Sequence, residues 1–276
     1  MPRHAVSSSA WPTPRRTPET DAHIRILMAH SVTHSLTGRR ALVTGASRGI
    51  GRAVARALGA AGATVHLLAR SRTALEAVAA EIGTAGAHTP VHAEVHVGDV
   101  TDPVSMNRVL GELQAANHLP DILVSNAGLF PLAAVSDTEP ALFEQTLQAN
   151  LIGPFRVLHA LLPALRAAGR GDIVTIGSVS DRRIFGGNGA YAASKFGARA
   201  LHEVLRTELA GSGVRCTLIS PAATDTPIWD PIDPDNTPGF PPRAAMLRAD
   251  DVADAVLWAL TRPAHVNIDE LRLSRT

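Results

Sequence analysis

A short strand-like run, Ala41-Leu42-Val43-Thr44, passes directly into Gly45-Ala46-Ser47-Arg48-Gly49-Ile50-Gly51. Ile50, Val54, Ala57, Leu58 and Ala61 then recur at the spacing of an amphipathic helix. A strand, a glycine-rich turn and a helix in immediate succession leave few architectures open. Such units pair their strands in parallel and return through crossover helices. The glycines permit a tight turn and close backbone approach. The helix behind them offers free N–H groups and the positive end of its dipole, an arrangement that suits a phosphate.

The alternation continues along the chain. Strand-like runs recur at 65–68, 91–97, 121–125, 172–177, 214–220 and 266–273, with helical patterns between them. With the first run they predict an α/β fold: a single Rossmann-type, doubly wound domain with a seven-stranded, mostly parallel sheet and helices on both faces. The domain is expected to begin near residue 37. Residues 1–36, with Pro2, Pro12, Pro14, Pro18 and a serine run, read as a flexible arm. Arg15-Arg16 has no apolar stretch behind it, which argues against twin-arginine export, and Met28 offers an alternative start. A cytoplasmic location is the resulting expectation.

Composition excludes several classes. The 276 residues carry 26 basic and 25 acidic side chains, a formal charge of +1, with no basic run to suggest nucleic acid. Cys216 is alone, so an intrachain disulfide is impossible. No continuous apolar run reaches the ~18 residues of a membrane span. His88, His92 and His96 recur at spacing four, but Val91, Ala93, Val95 and Val97 alternate with polar residues as in a strand. That spacing therefore gives no helical metal site, and no metal is assigned.

The only tyrosine, Tyr191, and the only lysine, Lys195, stand four residues apart, which on a helix places them on one face. A neighbouring ammonium stabilises a phenolate and draws the phenol's pKa down toward neutrality.

The spacing T-G-x-x-x-G-x-G at Thr44–Gly51 resembles the short-chain dehydrogenase/reductase family, and the resemblance extends over residues 36–276. It continues through Asp99-Val100, Ser125-Asn126-Ala127-Gly128, Asn150, Ser178 and Tyr191-x-x-x-Lys195. It implies a nicotinamide cofactor held by Gly45, Ser47, Arg48, Gly49, Ile50 and Gly51, with Asp99 and Val100 at the adenine and Asn126, Ala127 and Gly128 along the cleft. Pro221, Thr224 and Thr226 would meet the carboxamide, Thr226 being the first choice and Thr224 its rival. Ala222 stands where the family usually has Gly. The catalytic set implied is Asn150, Ser178, Tyr191 and Lys195, Tyr191 giving or taking the proton and Lys195 also holding the ribose. Ser178 would orient the substrate oxygen, and Asn150 would hold a water leading from Lys195 to solvent.

The second strand ends in Leu68-Ala69-Arg70 without an acid. An acid there would bind the 2′-hydroxyl of NAD and repel a 2′-phosphate. With Arg48 and Arg70 present, the cofactor is expected to be NADP(H). The proline-rich segment 227–248, with Trp229, Phe240 and Met246, falls where the family places its lid and suggests a partly apolar substrate. The C-terminal stretch resembles members acting on 3-oxo or 3-hydroxy acids and also general carbonyl reductases. The expected activity is NADP(H)-dependent interconversion of a small-molecule ketone and alcohol, by a homodimer or homotetramer assembled through helices around 142–168 and 191–210. Two other classes compete: a non-catalytic NADP(H)-binding regulator, whose relatives typically lose the Tyr or the Lys, and an epimerase or dehydratase, which needs a larger C-terminal domain.

Overall fold

The computed structural model describes residues 35–85 and 92–276. Nine strands and seven α-helices follow one another among these residues. The strands are β1 Arg40–Thr44, β2 Thr64–Ala69, β3 Ala93–Val97, β4 Ile122–Ser125, β5 Gly171–Ile176, β6 Val214–Pro221, β7 Thr224–Asp225, β8 Leu247–Arg248 and β9 Glu270–Leu273. The helices are α1 Gly49–Ala60, α2 Arg72–Ala85, α3 Pro103–Ala115, α4 Pro140–Leu147, α5 Gly153–Ala168, α6 Gly189–Glu208 and α7 Ala249–Leu260. A π turn, Gln148–Ile152, joins α4 to α5.

Seven strands form one sheet in the order β3-β2-β1-β4-β5-β6-β9, and β7 pairs separately with β8. Every pairing in the large sheet is parallel, β6 with β9 included. The order reverses between β1 and β4, which opens a crevice at the carboxyl ends of the strands.

Strand alternation divides the core into two layers. Ala41, Val43, Val65, Leu67, Ile122, Val124, Val174 and Ile176 face α1, α2 and α7, meeting Val54, Leu58, Val78, Ile82, Val252 and Val256. Leu42, Leu68, Leu123 and Ile173 face the opposite way, meeting Met106 and Val109 of α3, Leu161 and Leu165 of α5 and Leu205 of α6. Both sheet faces are thus covered, as parallel strands require.

Three boundaries differ from the sequence reading. Leu36, the last residue of the predicted arm, is buried in the core, its N–H donating to Ala61 O at 2.7 Å. Residues 1–34 of that arm lie outside the described residues, as does His88. The third strand starts at Ala93 and the last only at Glu270. Ahead of β9, Asn267 substitutes for backbone pairing: its Oδ1 accepts from Cys216 N–H at 2.8 Å and its Nδ2 donates to Cys216 O at 3.1 Å.

The stretch Pro140–Ala168 is long and apolar enough to cross a membrane by length and composition. Val157, Leu158, Leu161 and Leu165 of α5 instead pack on the sheet. Phe143 and Phe155 on this stretch, with Phe196 and Val204 on α6, stay exposed.

Candidate active site

The crevice at the switch point is a cleft of about 1460 Å³ built from the loops after β1 to β6. Its outer end is the glycine turn. Gly45 and Gly49 have φ of +68° and +56°, a left-handed conformation that side chains resist. Gly51 does not line the cleft. It supports the turn from behind, where a Cβ would meet Gly45 O at 2.3 Å and Asn126 Nδ2 at 2.5 Å. Arg48, in the N-cap position of α1, makes no side-chain cap, and the first turn holds no acid. The leading N–H groups of α1 are therefore left for an anion from outside.

Thr44 and Asn126 tie β1 to β4 behind this turn. Thr44 Oγ1 accepts from the N–H groups of Asn126 and Ala127 at 2.9 and 3.0 Å, and Asn126 Nδ2 donates to Thr44 O at 2.9 Å. The Asn126 amide is thereby committed to holding the floor of the cleft. Ser47, Arg48, Gly49 and Ile50 face the cleft with Asp99, Val100, Ala127 and Gly128. Arg70 extends from the end of β2, 72% exposed, with Nη1 4.0 Å from Asp99 Oδ2. Asp99 Oδ1 accepts from Thr101 N and Oγ1 at 2.9 and 2.8 Å, which fixes its loop.

Ser178, Tyr191 and Lys195 line the inner end, with Pro221, Thr224 and Thr226 opposite the glycine turn. The Thr224 hydroxyl donates to Ala222 O at 3.0 Å. Thr226 packs toward Gly49, its Cγ2 3.2 Å from where a Cβ on that glycine would lie. Ser178 is held by a buried carboxylate that the sequence reading missed. Asp181 Oδ2 accepts from Ser178 N–H at 3.3 Å and Ser220 Oγ at 2.5 Å, while Ser178 Oγ accepts from Ser180 N–H at 3.1 Å. The side chain of Asp181 is wholly buried, with Arg182 at 3.0 Å and Arg199 at 3.7 Å on its other oxygen. Its signal was present in Ser178-Val179-Ser180-Asp181, the S-x-x-D form of a capping box.

The expected pairing of phenol and ammonium is built differently from the sequence picture. Lys195 Nζ donates to Ile176 O at 2.9 Å and lies 5.7 Å from the Tyr191 ring centroid. Burial pushes the Tyr191 phenol up to about 12, with Asp181 adding to the rise and hydrogen bonding from Ser178 opposing it. Burial likewise pushes Lys195 down to about 8, against the pull of Asp181. Burial thus favours the phenol form of Tyr191 at pH 7.

Asn150, in the π turn, stands behind the cleft. Its Oδ1 accepts from Leu129 N–H at 2.7 Å, and its Nδ2 reaches Leu129 O and Ser194 Oγ, each at 2.9 Å. The side chain thus buckles the β4 loop to α6. Beside it lies a cavity of about 40 Å³, bordered also by Lys195, Ser125, Thr175 and His202, which has room for about one water. His202 Nε2 is buried there with no partner among the described residues.

The substrate wall is aromatic. Phe130 packs edge-on against Tyr191 and Trp229 at 4.7 and 5.1 Å between centroids, and Trp229 against Phe240 at 5.9 Å. Segment 227–248 is pinned by Arg243, whose guanidinium reaches Asp225 and Asp230, each at 2.7 Å. Met246 does not join the wall; it is buried beneath the segment, 3% exposed. Phe130 escaped the sequence reading because a residue past Gly128 carries no periodic signal of its own.

A phosphate-ready helix end, a cleft at the switch point and a phenol with a serine hydroxyl at its inner end define a dinucleotide-binding oxidoreductase scaffold. The family model for short chain dehydrogenase matches residues 39–237, and the chain belongs to that family. It is 36% identical to the glycine betaine reductase ATRR of Emericella nidulans over 86% of its length, spanning 18% of that much longer protein. An uncharacterised oxidoreductase of Staphylococcus epidermidis is 34% identical, with 84% of this chain and 95% of that one aligned. Among solved structures, an alcohol dehydrogenase from the archaeon Thermococcus sibiricus, complexed with 5-hydroxy-NADP, superposes with a TM-score of 0.75 at 32% identity, covering 85% of this chain and 95% of that one. A gluconate 5-dehydrogenase from Burkholderia cenocepacia, in complex with NADP and tartrate, gives a TM-score of 0.79 at 27% identity, covering 89% and 97%.

Proposed function

We propose that this chain is an NADP(H)-dependent oxidoreductase that interconverts a ketone and a secondary alcohol, with Tyr191 as the acid/base group. The observation that carries this reading is the placement of the Ser178 and Tyr191 hydroxyls at the inner end of a cleft whose outer end is an uncapped helix N-terminus. The glycine cradle, closed to any Cβ at Gly51, fits a pyrophosphate. Arg48 and Arg70 line its adenosine side and suit a 2′-phosphate, in keeping with the NADP named in both solved relatives. When bound, the nicotinamide supplies or accepts the hydride.

The chain's own groups do the rest. Ser178, held by Asp181, donates to the substrate oxygen. Tyr191, a phenol at pH 7, gives its proton to the oxyanion that forms on reduction. Lys195 is held by Ile176 O where it can reach the ribose hydroxyls, and it supplies positive charge beside the phenol. The small cavity by Asn150 and Lys195 offers a water for reprotonation.

The aromatic wall favours a ketone with an apolar or aromatic substituent. A 3-oxo acid or 3-oxoacyl thioester is the second reading, favoured by Arg183 on the cleft wall, which could meet a carboxylate or thioester-side anion. The exposed Phe143, Phe155, Phe196 and Val204 support assembly of two or more copies through α4, α5 and α6. The test is NADPH consumption with a panel of aryl ketones, aliphatic ketones and 3-oxo acids, each repeated with NADH. Oxidation of NADPH by at least one ketone is expected. A folded protein that binds NADPH and consumes it with none of them would favour the regulator.

A further inference from the structure

We infer that His66, Glu94 and His96 form a binding site for a divalent metal of the zinc type, with His118 as the group that orients Glu94. The site lies on the sheet face covered by α3. None of the four residues lines the nucleotide cleft, and His96 is roughly 10 Å along its strand from Asp99.

Sheet register assembles it. His66 on β2 pairs directly with Glu94 on β3, and Leu68 pairs with His96. Alternation sends Val65 and Leu67 to the other core layer, so His66, Glu94 and His96 share one face, at direct and diagonal neighbour positions. His118 arrives from the turn after α3. A search along one segment, as with His88, His92 and His96, cannot find such a set, because its members come from two strands and a loop. The spacing along the segment points to no helical site and so to no metal, whereas the strand pairing brings this set together.

The donor atoms have metal-site spacing. His66 Nδ1 is 3.1 Å from His96 Nε2 and 3.4 Å from Glu94 Oε2, and His96 Nε2 is 3.9 Å from the same oxygen. Bonds of about 2.0–2.2 Å in tetrahedral array put ligand atoms about 3.3–3.6 Å apart. Two imidazoles and a carboxylate leave the fourth position open to water. His118 Nδ1 lies 3.4 Å from Glu94 Oε1, the oxygen turned away from the other two histidines, where its N–H would fix the carboxylate.

The burial of His66 is an independent observation. It is 0% exposed, and its polar contacts, made through Nδ1, go to Glu94 and His96. An apolar side chain would fill this position between Leu42, Leu68 and α3 with no buried polar group to satisfy. A metal here would join β2, β3 and the α3–β4 turn in the folded state alone and so raise the melting temperature.

The test uses the full chain, metal-stripped, with Co2+ and Zn2+ as probes. Wild type is expected to bind one Co2+ with the strong visible absorption of four-coordinate cobalt. Zn2+ at a hundred times its Kd is expected to raise Tm by about 5 °C or more. His96→Gln should abolish both signals, and His118→Gln should weaken Co2+ binding about 10- to 100-fold, with cofactor turnover unchanged in each. Glu94→Gln, at a side chain 38% exposed, serves in place of His96→Gln if that variant does not fold, and should lose at least tenfold in affinity. Absence of the cobalt spectrum and of the Zn2+ shift in wild type would overturn the proposal. So would retention of both in a folded His96→Gln or Glu94→Gln protein, since metal then sits on other histidines. None of these outcomes depends on whether the ketone reaction is correct.

Discussion

Replacing Lys195 with Met should make the ligand-free protein more stable while abolishing its activity. Lys195 is 7% exposed, and burial lowers its pKa from 10.5 to about 8. At about 1.4 kcal/mol per unit, the charged form costs the fold about 3 kcal/mol at neutral pH. Met fills similar space without charge but leaves Ile176 O without its 2.9 Å donor, an offsetting loss of about 1–2 kcal/mol. The net gain is about 1–2 kcal/mol, or about 2–6 °C in Tm. The folded-state pKa is below the unfolded one, so between about pH 8 and 10.5 the unfolded chain binds the extra proton and wild-type stability rises with pH. The advantage of the variant is therefore full below pH 8 and fades toward pH 10.5. Thermal unfolding of both proteins at pH 7 and pH 10 measures it. A variant less stable at pH 7, or a difference that ignores pH, would refute the argument that the fold holds a penalised charge for its chemistry.

Asp181→Asn should lower kcat about 10- to 100-fold by loosening Ser178, with little change in NADPH affinity. The same change removes a negative charge that raises the Tyr191 pKa, so the limb along which alcohol oxidation rises with pH should shift to lower pH, which a pH–rate profile reads directly. Arg70→Asp should weaken NADPH about 10- to 100-fold while NADH holds or improves, as the ratio of Km values would report. Phe155→Asp, at a side chain 44% exposed on α5, should reduce self-association without loss of fold, measured as molar mass by light scattering.

Much of this molecule was legible in its sequence because the signals were local. The glycine turn, the strand runs and the Tyr191–Lys195 spacing each depend on residues close together along the chain, and the resulting sheet order follows from parallel crossovers. Ser178 and Tyr191 could be paired because two motifs fixed their ends of β5 and α6. What escaped depends on distant segments or on burial. Asp181 was overlooked although its capping box is written in four successive residues, because its partners Ser220 and Arg199 lie far along the chain. Its place in the segment groups Met246 with Trp229 and Phe240, yet the fold turns it inward. Gly51 is expected beside the cofactor, but it braces the turn from behind, while Asn126 lines the cleft and braces that turn as well. The electrostatics of Tyr191 could not be read from spacing: four residues place a lysine beside the ring, but burial decides which way the phenol titrates.

The proposed proton donor is the Tyr191 hydroxyl, acting on the oxygen of the carbonyl whose carbon receives hydride. Tyr191→Phe removes that hydroxyl and almost no volume, and NADPH binding by fluorescence gives a control for the cleft. The account predicts NADPH affinity within a few-fold of wild type and ketone reduction slowed by about 100- to 10,000-fold. Turnover at the wild-type rate by a variant that binds NADPH normally would contradict it.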